Sequence, residues 1–530
     1  MNSRRPLGAV SIAVFASGAV FASGTVPPQT RLPGYQILDI GTLGGKEASG
    51  LDINDRGEVT GAASLADGRQ HAFIYQDGEM IDLGTLKADG SGESKGANIN
   101  NKGEVAGQSE TEDGFAHAVR YSNGIVTDLG TLGGTRSDGY ALNEAGQVSG
   151  IAFLPGNSEY HAFLYSDGSG MTDLGTLGDS YSTGDAINAA GEVAGIYQLE
   201  FDSHAYLYAH GSMVDLLPGT SSYVSPATVM INSSGHVAGT YQTDGVTRSF
   251  LYRDGSIVDP GTLGGALSFA SALNDSDQVV GDSGIASGEM HAFRWSAGKL
   301  EDLGTLGGAY SNGVAVNGSG QVTGQAVNAV GEYHPFIYSQ GEMMDLGLPE
   351  GGRQGFGTAI NAAGQVTGIY QLPSEDEFQP YYLRGFIATP IPLLFSKLED
   401  KANVAGPGKL LMKSVRLAQR YYEGSDRKGT CVVLTAFVAE AALFSHSKKL
   451  EDRMHQLIAD ARAIGTAVGC RNDARNDSEE SPQAASQPSA FAASKAAPVE
   501  EREKALEWYR ERFRIGADGV LDRKRIVDSH

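Results

Sequence analysis

An asparagine preceded by an aliphatic residue recurs at Asn54, Asn100, Asn143, Asn188, Asn232, Asn274, Asn317 and Asn361, at spacings of 42 to 46 residues. A chain with such a period is an array of one small unit, and a unit that cannot bury its own faces must stack on its neighbours. From Ala48 one unit reads ASGLDINDRGEVTGAASLADGRQHAFIYQDGEMIDLGTL. It contains four short β-prone runs: GLDIN, GEVTGAA, HAFIY and EMIDLGTL. Asn-x-x-Gly separates the first two. Asp-Gly separates the last two in several copies, as at Asp77-Gly78, Asp167-Gly168 and Asp254-Gly255. Both are tight-turn chemistry, because Gly and Asn accept positive φ. The 72 glycines among 530 residues follow no collagen triplet and serve such turns. Four strands in roughly 44 residues predict the blade of a β-propeller.

The phase of the array carries further information. It opens with a lone fourth run, GYQILDIG from Gly34, and finishes with first, second and third runs only: GTAIN, GQVTGIY and QPYYL. The two fragments complete one shared sheet, which removes an exposed strand edge. The expected fold is mainly β. An eight-bladed β-propeller of four-stranded blades spans 34–390, closed by strand exchange between N- and C-terminal fragments, and a small all-α disulfide-linked bundle follows. Seven blades or an open solenoid are the alternatives.

The recurring HAF, DLGTLGG and IN..G.V.G elements resemble the HAF-type extracellular repeat of bacterial proteins, over residues 35–388. The resemblance implies secretion and a propeller-like repeat, and brings no established activity with it.

The repeated polar residues read as structural. His71, His117, His161, His204, His291 and His334 head third strands, and Asp82, Asp128, Asp173, Asp215, Asp302 and Asp345 close the fourth strands that follow. One His and one Asp per blade are spread too widely to converge on a metal. Folding strand three on strand four places each His diagonally across from its Asp, so that each satisfies the other. GTLGG is not a phosphate loop, since no Lys-Ser/Thr and no helix follow it. No metal and no cofactor are expected.

The loops between second and third strands differ in every unit, and function concentrates on variable loops held by a rigid scaffold. Tyr160, Tyr197, Phe201, Tyr241, Tyr333, Tyr370 and Phe378, with Glu159, Asp202 and Glu332, are the candidate ligand-binding residues: aromatics beside carboxylates suit sugar rings or a protein anchor. No Ser-His-Asp or Cys-His set emerges from motif spacing, and no catalytic residue is assigned. The expectation is a secreted, non-catalytic binding or adhesion scaffold for an extracellular carbohydrate or protein. A polysaccharide-active hydrolase or lyase working through a carboxylate pair is one alternative, and a structural surface component another. A net charge of −23 opposes binding to nucleic-acid phosphates.

Residues 1–24 read as a signal peptide, with Arg4 and Arg5 ahead of a short apolar run and small residues at Ala22 and Gly24. No transmembrane segment is expected: CVVLTAFVAEAALF is short and broken by Glu440. Export makes Cys431 and Cys470 a plausible disulfide. Beyond Pro392 helical periodicity replaces alternation, and three helices are expected over 396–470, in a hairpin that brings the two cysteines together. The pattern C..L.AFV with L......LI..A..I....GC resembles the FIMAH domain found at the ends of bacterial extracellular proteins, over about 398–470. That resemblance implies an accessory interaction module. Residues 471–499 read as a disordered linker, and 500–530 as a charged helix and tail.

Overall fold

The computed structural model describes residues 34–470, apart from 179, 200–201, 218–222, 225–228, 244, 376–378, 406–407 and 446–449. The signal peptide, linker and charged tail expected from sequence therefore lie outside the described residues.

The chain is mainly β. Gly44–Ile53, Val59–Leu65, Gln70–Gln76 and Glu79–Asp82 form an antiparallel sheet in chain order. Sheets of the same order recur through Asp345; two of them are joined by a single parallel bridge, Met290 to Tyr310. The sequence turns account for the connections. Asn54 Oδ1 accepts from the amides of Arg56 and Glu58, and Gly57 adopts φ +82°. First and second strands lie so close that a Cβ on Gly61 would meet the Ser49 carbonyl oxygen at 1.8 Å, which explains why the second strands read V-x-G.

The valine opening each second strand (Val59, Val105, Val148, Val193, Val237, Val279, Val322 and Val366) is fully buried. So is the third residue of the HAF-type run in Phe73, Phe163, Phe250, Phe293 and Phe336. These side chains pack between successive sheets: Ala106 and Ala118 of one meet Val148, Ala152 and Phe163 of the next. Each such side chain contributes about 1.5–3 kcal/mol through burial, so the cohesion of the array lies between its sheets.

One sheet is built from both ends of the array. Its order is Tyr35–Asp39, Tyr381–Pro390, Val366–Pro373, Gly355–Ile360. Tyr35 pairs with Pro390 and Asp39 with Phe386. Ile40 and Ile387 pack with Ile53, Val59 and Phe73 of the first complete sheet. The strand Tyr381–Pro390 thus runs on past Arg384, through the stretch where the sequence texture changes, because the N-terminal strand supplies its hydrogen-bonding partner.

Every repeated asparagine reaches into the next unit. Asn54 Nδ2 donates to the Asn100 carbonyl at 3.0 Å, and the pattern continues unit by unit through Asn317, which donates to Asn361. Asn361 Nδ2 in turn donates to the carbonyl of Asn54 at 2.9 Å.

The C-terminal part corrects the expectation of three helices starting at 396. Four are present among the described residues: α1 Ile391–Val404, α2 Gly408–Glu423, α3 Arg427–Phe444 and α4 Glu451–Val468. Helix α1 follows the last strand with no linker, has a proline in its first turn, and buries Ile391, Phe395, Leu398 and Ala402 at helical spacing. Asp426 caps α3 by accepting from Gly429, and Gly469 ends α4 in the left-handed conformation. Cys431 in the first turns of α3 is disulfide-bonded to Cys470, just past α4. No helix among the described residues is long and apolar enough to cross a membrane.

Candidate functional site

The repeated His and Asp meet locally. Nδ1 lies 2.9 Å from the carboxylate in His71–Asp82, 3.0 Å in His117–Asp128, 2.8 Å in His161–Asp173, 3.0 Å in His291–Asp302 and 2.9 Å in His334–Asp345. The aspartate does a second job, accepting from the glycine amide two residues on, as Asp82 does from Gly84. The sixth pair differs: His204 and Asp215 stand 3.9 Å apart. His204 stacks on Tyr197 instead, ring centroids 5.3 Å apart. Burial pushes the Tyr197 phenol up to about 12, and the adjacent Asp215 adds to the shift. Among the described residues no group of three or more His, Cys, Asp or Glu is placed to hold a metal.

A recurrent serine completes this hinge, and sequence reasoning missed it. Ser94 Oγ accepts from the Ala72 amide of the preceding unit and donates to the Gly84 carbonyl; Ser137, Ser182 and Ser311 repeat both bonds. Its signal was a serine six residues before Asn100, Asn143, Asn188 and Asn317.

The aromatic candidates divide. Tyr197 and Tyr370 are 3% and 2% exposed, so the loop display expected of them is corrected: they are core residues within second strands. Tyr241 is partly buried and packs edge-on to Phe250. Asp202 is partly buried at the start of its strand. Phe201 and Phe378 lie outside the described residues. Tyr333 is half-buried with its ring 5.9 Å from Tyr310, and Glu332 beside it is exposed.

Tyr160 is the candidate around which other groups gather. Its ring lies 5.4 Å from Phe153 and 4.7 Å from Tyr181 of the next unit, to which it is also bridged in parallel. Glu159 is exposed and accepts from Ser180 at 3.3 Å, while the Tyr181 hydroxyl donates to the Ser158 carbonyl. On the adjacent first strand Tyr140 is 38% exposed. Burial, then the charges of Asp138 and Asp185 and the Tyr160 phenol, drive its phenol far above the ordinary range. Burial also raises the Asp138 carboxyl, against the pull of Arg136 and Lys95, and its Oδ1 accepts no hydrogen bond. Tyr140 is thus a partly exposed aromatic, whereas the unpartnered Oδ1 of Asp138 is itself shut off from solvent. Tyr140 and Tyr181 were not legible as site residues because they sit on or beside first strands, not in the variable loops.

A second sector holds Tyr310 and Tyr333 with Asp282, whose Oδ1 accepts from Asn312 Nδ2 at 2.7 Å. Burial pushes the Asp282 carboxyl up to about 7, with the Asn312 bond opposing.

No family model matches the chain, and no curated protein matches it. Among solved structures it is similar to Porphyromonas gingivalis dipeptidyl peptidase 4, at 11% identity and a TM-score of 0.44, over 66% of this chain and 58% of that one. TolB from Acinetobacter baumannii matches at 14% identity and 0.29, over 46% and 63%. The Aleuria aurantia lectin AAL matches at 10% and 0.28, over 57% and 97%. The chain thus spans under two thirds of the length of the peptidase and of TolB.

Proposed function

We propose that this chain is a non-catalytic binding scaffold. It is an eight-bladed propeller closed by strand exchange, and its ligand is a carbohydrate held by the sector of Tyr140, Tyr160, Tyr181 and Glu159. Closure is supported by the hydrogen bond from Asn361 back to Asn54 and by the pairing of Tyr35–Asp39 with Tyr381–Pro390. On this reading the HAF-type resemblance describes the ring and the FIMAH-like one the helical bundle. The disulfide and the leader-like N-terminus fit an exported protein.

The single observation behind the ligand assignment is the exposed Glu159 beside the Tyr160–Tyr181 ring pair, with Tyr140 38% exposed in the same sheet. A sugar ring offers an apolar face to stack on tyrosine and hydroxyls to donate to carboxylates. The test is a glycan array probed with the full chain, with turnover of every bound glycan assayed alongside. Wild type binds a defined glycan class, and Tyr140→Ala lowers that affinity at least tenfold with unchanged melting. Equal binding by the variant, or capture of polypeptides but no glycan, contradicts the ligand assignment, and release of cleaved sugar contradicts a non-catalytic scaffold.

A further inference from the structure

The helical bundle grows out of the sheet that joins the two ends of the array. Pro390, the last residue of the strand paired with Tyr35–Asp39, is followed directly by Ile391, the first residue of α1. The Ile391 amide donates to the Gly34 carbonyl at 3.0 Å, fixing the chain at the residue that enters the N-terminal strand. One residue into that strand, Gln36 Nε2 donates to the carbonyl of Ala463 in α4 at 3.3 Å. The Tyr422 ring of α2 lies 5.7 Å from Phe395 of α1. Helices α1 and α4 thus hydrogen-bond to Gly34 and Gln36, at the start of the exchanged strand. Further along, Asp39 is held by Arg384 and Tyr370 within the sheet.

The disulfide lies in the same load path. Cys470 is seven residues beyond Ala463, and its bond to Cys431 ties the end of α4 to the start of α3. Without it, the last turns of α4 keep only the packing of residues such as Ile464 and Val468 and the cap at Gly469.

We propose that the bundle is a redox-sensitive clasp: it holds the N-terminal strand in the closing sheet, and reduction of Cys431–Cys470 loosens that strand. The inference rests on the reading that strand exchange closes the ring. Reduction adds two electrons and two protons to the S–S bond, giving two thiols, while a dithiol reductant becomes its own cyclic disulfide. Such a device keeps the ring firmly shut in an oxidising compartment and lets its seam breathe in a reducing one.

The experiment is amide hydrogen exchange on the full chain, oxidised and after treatment with a dithiol, with thiol alkylation to verify reduction. In the oxidised protein Tyr35–Asp39 exchanges as slowly as the internal fourth strands Ile125–Asp128 and Lys299–Asp302. After reduction it exchanges at least tenfold faster while those two stay unchanged. Faster exchange in α4 with an unchanged Tyr35–Asp39 overturns the clasp and leaves ring closure standing. Rapid exchange at Tyr35–Asp39 in the oxidised protein overturns ring closure itself. Where reduction leaves α4 protected, Phe395→Ala loosens the α1–α2 contact by another route; an unaccelerated Tyr35–Asp39 in that variant overturns the clasp.

Discussion

The sheet built from both ends of the array and the sheets inside it solve the same problem with different chemistry. In five of the internal sheets a histidine at the head of the third strand hydrogen-bonds the aspartate of the fourth, and both belong to one short hairpin. In the sheet of Val246–Arg253 the matching residue is Arg248, which donates to the Ala266 carbonyl instead. In the sheet built from both ends those two strands come from opposite ends of the array, and Arg384 stands where the histidine would be. Its guanidinium lies 2.9 and 2.8 Å from the two oxygens of Asp39, and the Tyr370 hydroxyl adds a bond of 2.7 Å. A hairpin re-forms easily because its turn keeps the partners near. A seam between distant segments has no turn to do this, and a cation that stays charged across the whole neutral range is the stronger fastening, here through Nη2 alone.

The largest expected effect breaks the seam. Arg384→Met leaves a half-buried carboxylate with a tyrosine as its remaining side-chain partner, and costs about 2–4 kcal/mol by denaturant unfolding. His117→Ala inside the array costs about 1 kcal/mol. Equal costs would erase the distinction between the two regions.

The next effect lies inside the array and has the opposite sign. The folded carboxyl of Asp282 titrates near 7, above its ordinary 3.8. Its contribution to stability is complete below the ordinary value and is lost as pH rises through the folded one. Asp282→Asn keeps an acceptor for Asn312, removes that loss and stabilises the protein at pH 8 by about 2 kcal/mol. Thermal melts from pH 4 to 8 then flatten in the variant; an unchanged slope contradicts the burial argument.

The smallest effect concerns one internal pair. The hydrogen bond to Asp345 raises the His334 imidazole above 6.5, with burial opposing. The pair's contribution is therefore full below 6.5 and fades as pH rises past the folded value. His334→Ala should cost more at pH 5.5 than at pH 8.5, whereas the cost of Arg384→Met should not change between them. A parallel pH response in the two variants would show that the seam is no different from the interior.

Much of this architecture was legible because it is periodic. The Asn-x-x-Gly turns, the alternating runs and the split phase at Gly34 and Arg384 are each written in the sequence, and periodic signals average out local ambiguity. Features occurring once were harder to read. Helix α1 was hidden by Pro390 and Pro392, which mark the change of texture, although the second of them sits in the helix's first turn. Tyr197 and Tyr370 read as loop residues although they share the second-strand register of Ala63 and Ala152, opposite the head of the third strand, a position buried in those units as well. Arg384 escaped notice because it departs from the histidine consensus. The Tyr140 sector depends on groups 45 residues apart in sequence, from Tyr140 to Asp185, that meet only when units stack.

The central claim is that the array returns on itself, and the exposed turns that carry the asparagines allow a direct reading. Asp55 and Asn101 belong to neighbouring turns, and Asp55 meets Ala362 across the seam by accepting its amide at 2.9 Å. Spin labels placed by cysteine substitution at 55 and 362 are compared with labels at 55 and 101, by pulsed electron–electron resonance on the oxidised full chain. The account predicts the same short distance for both pairs. A long or broad distribution for 55 and 362 beside a short one for 55 and 101 would contradict it.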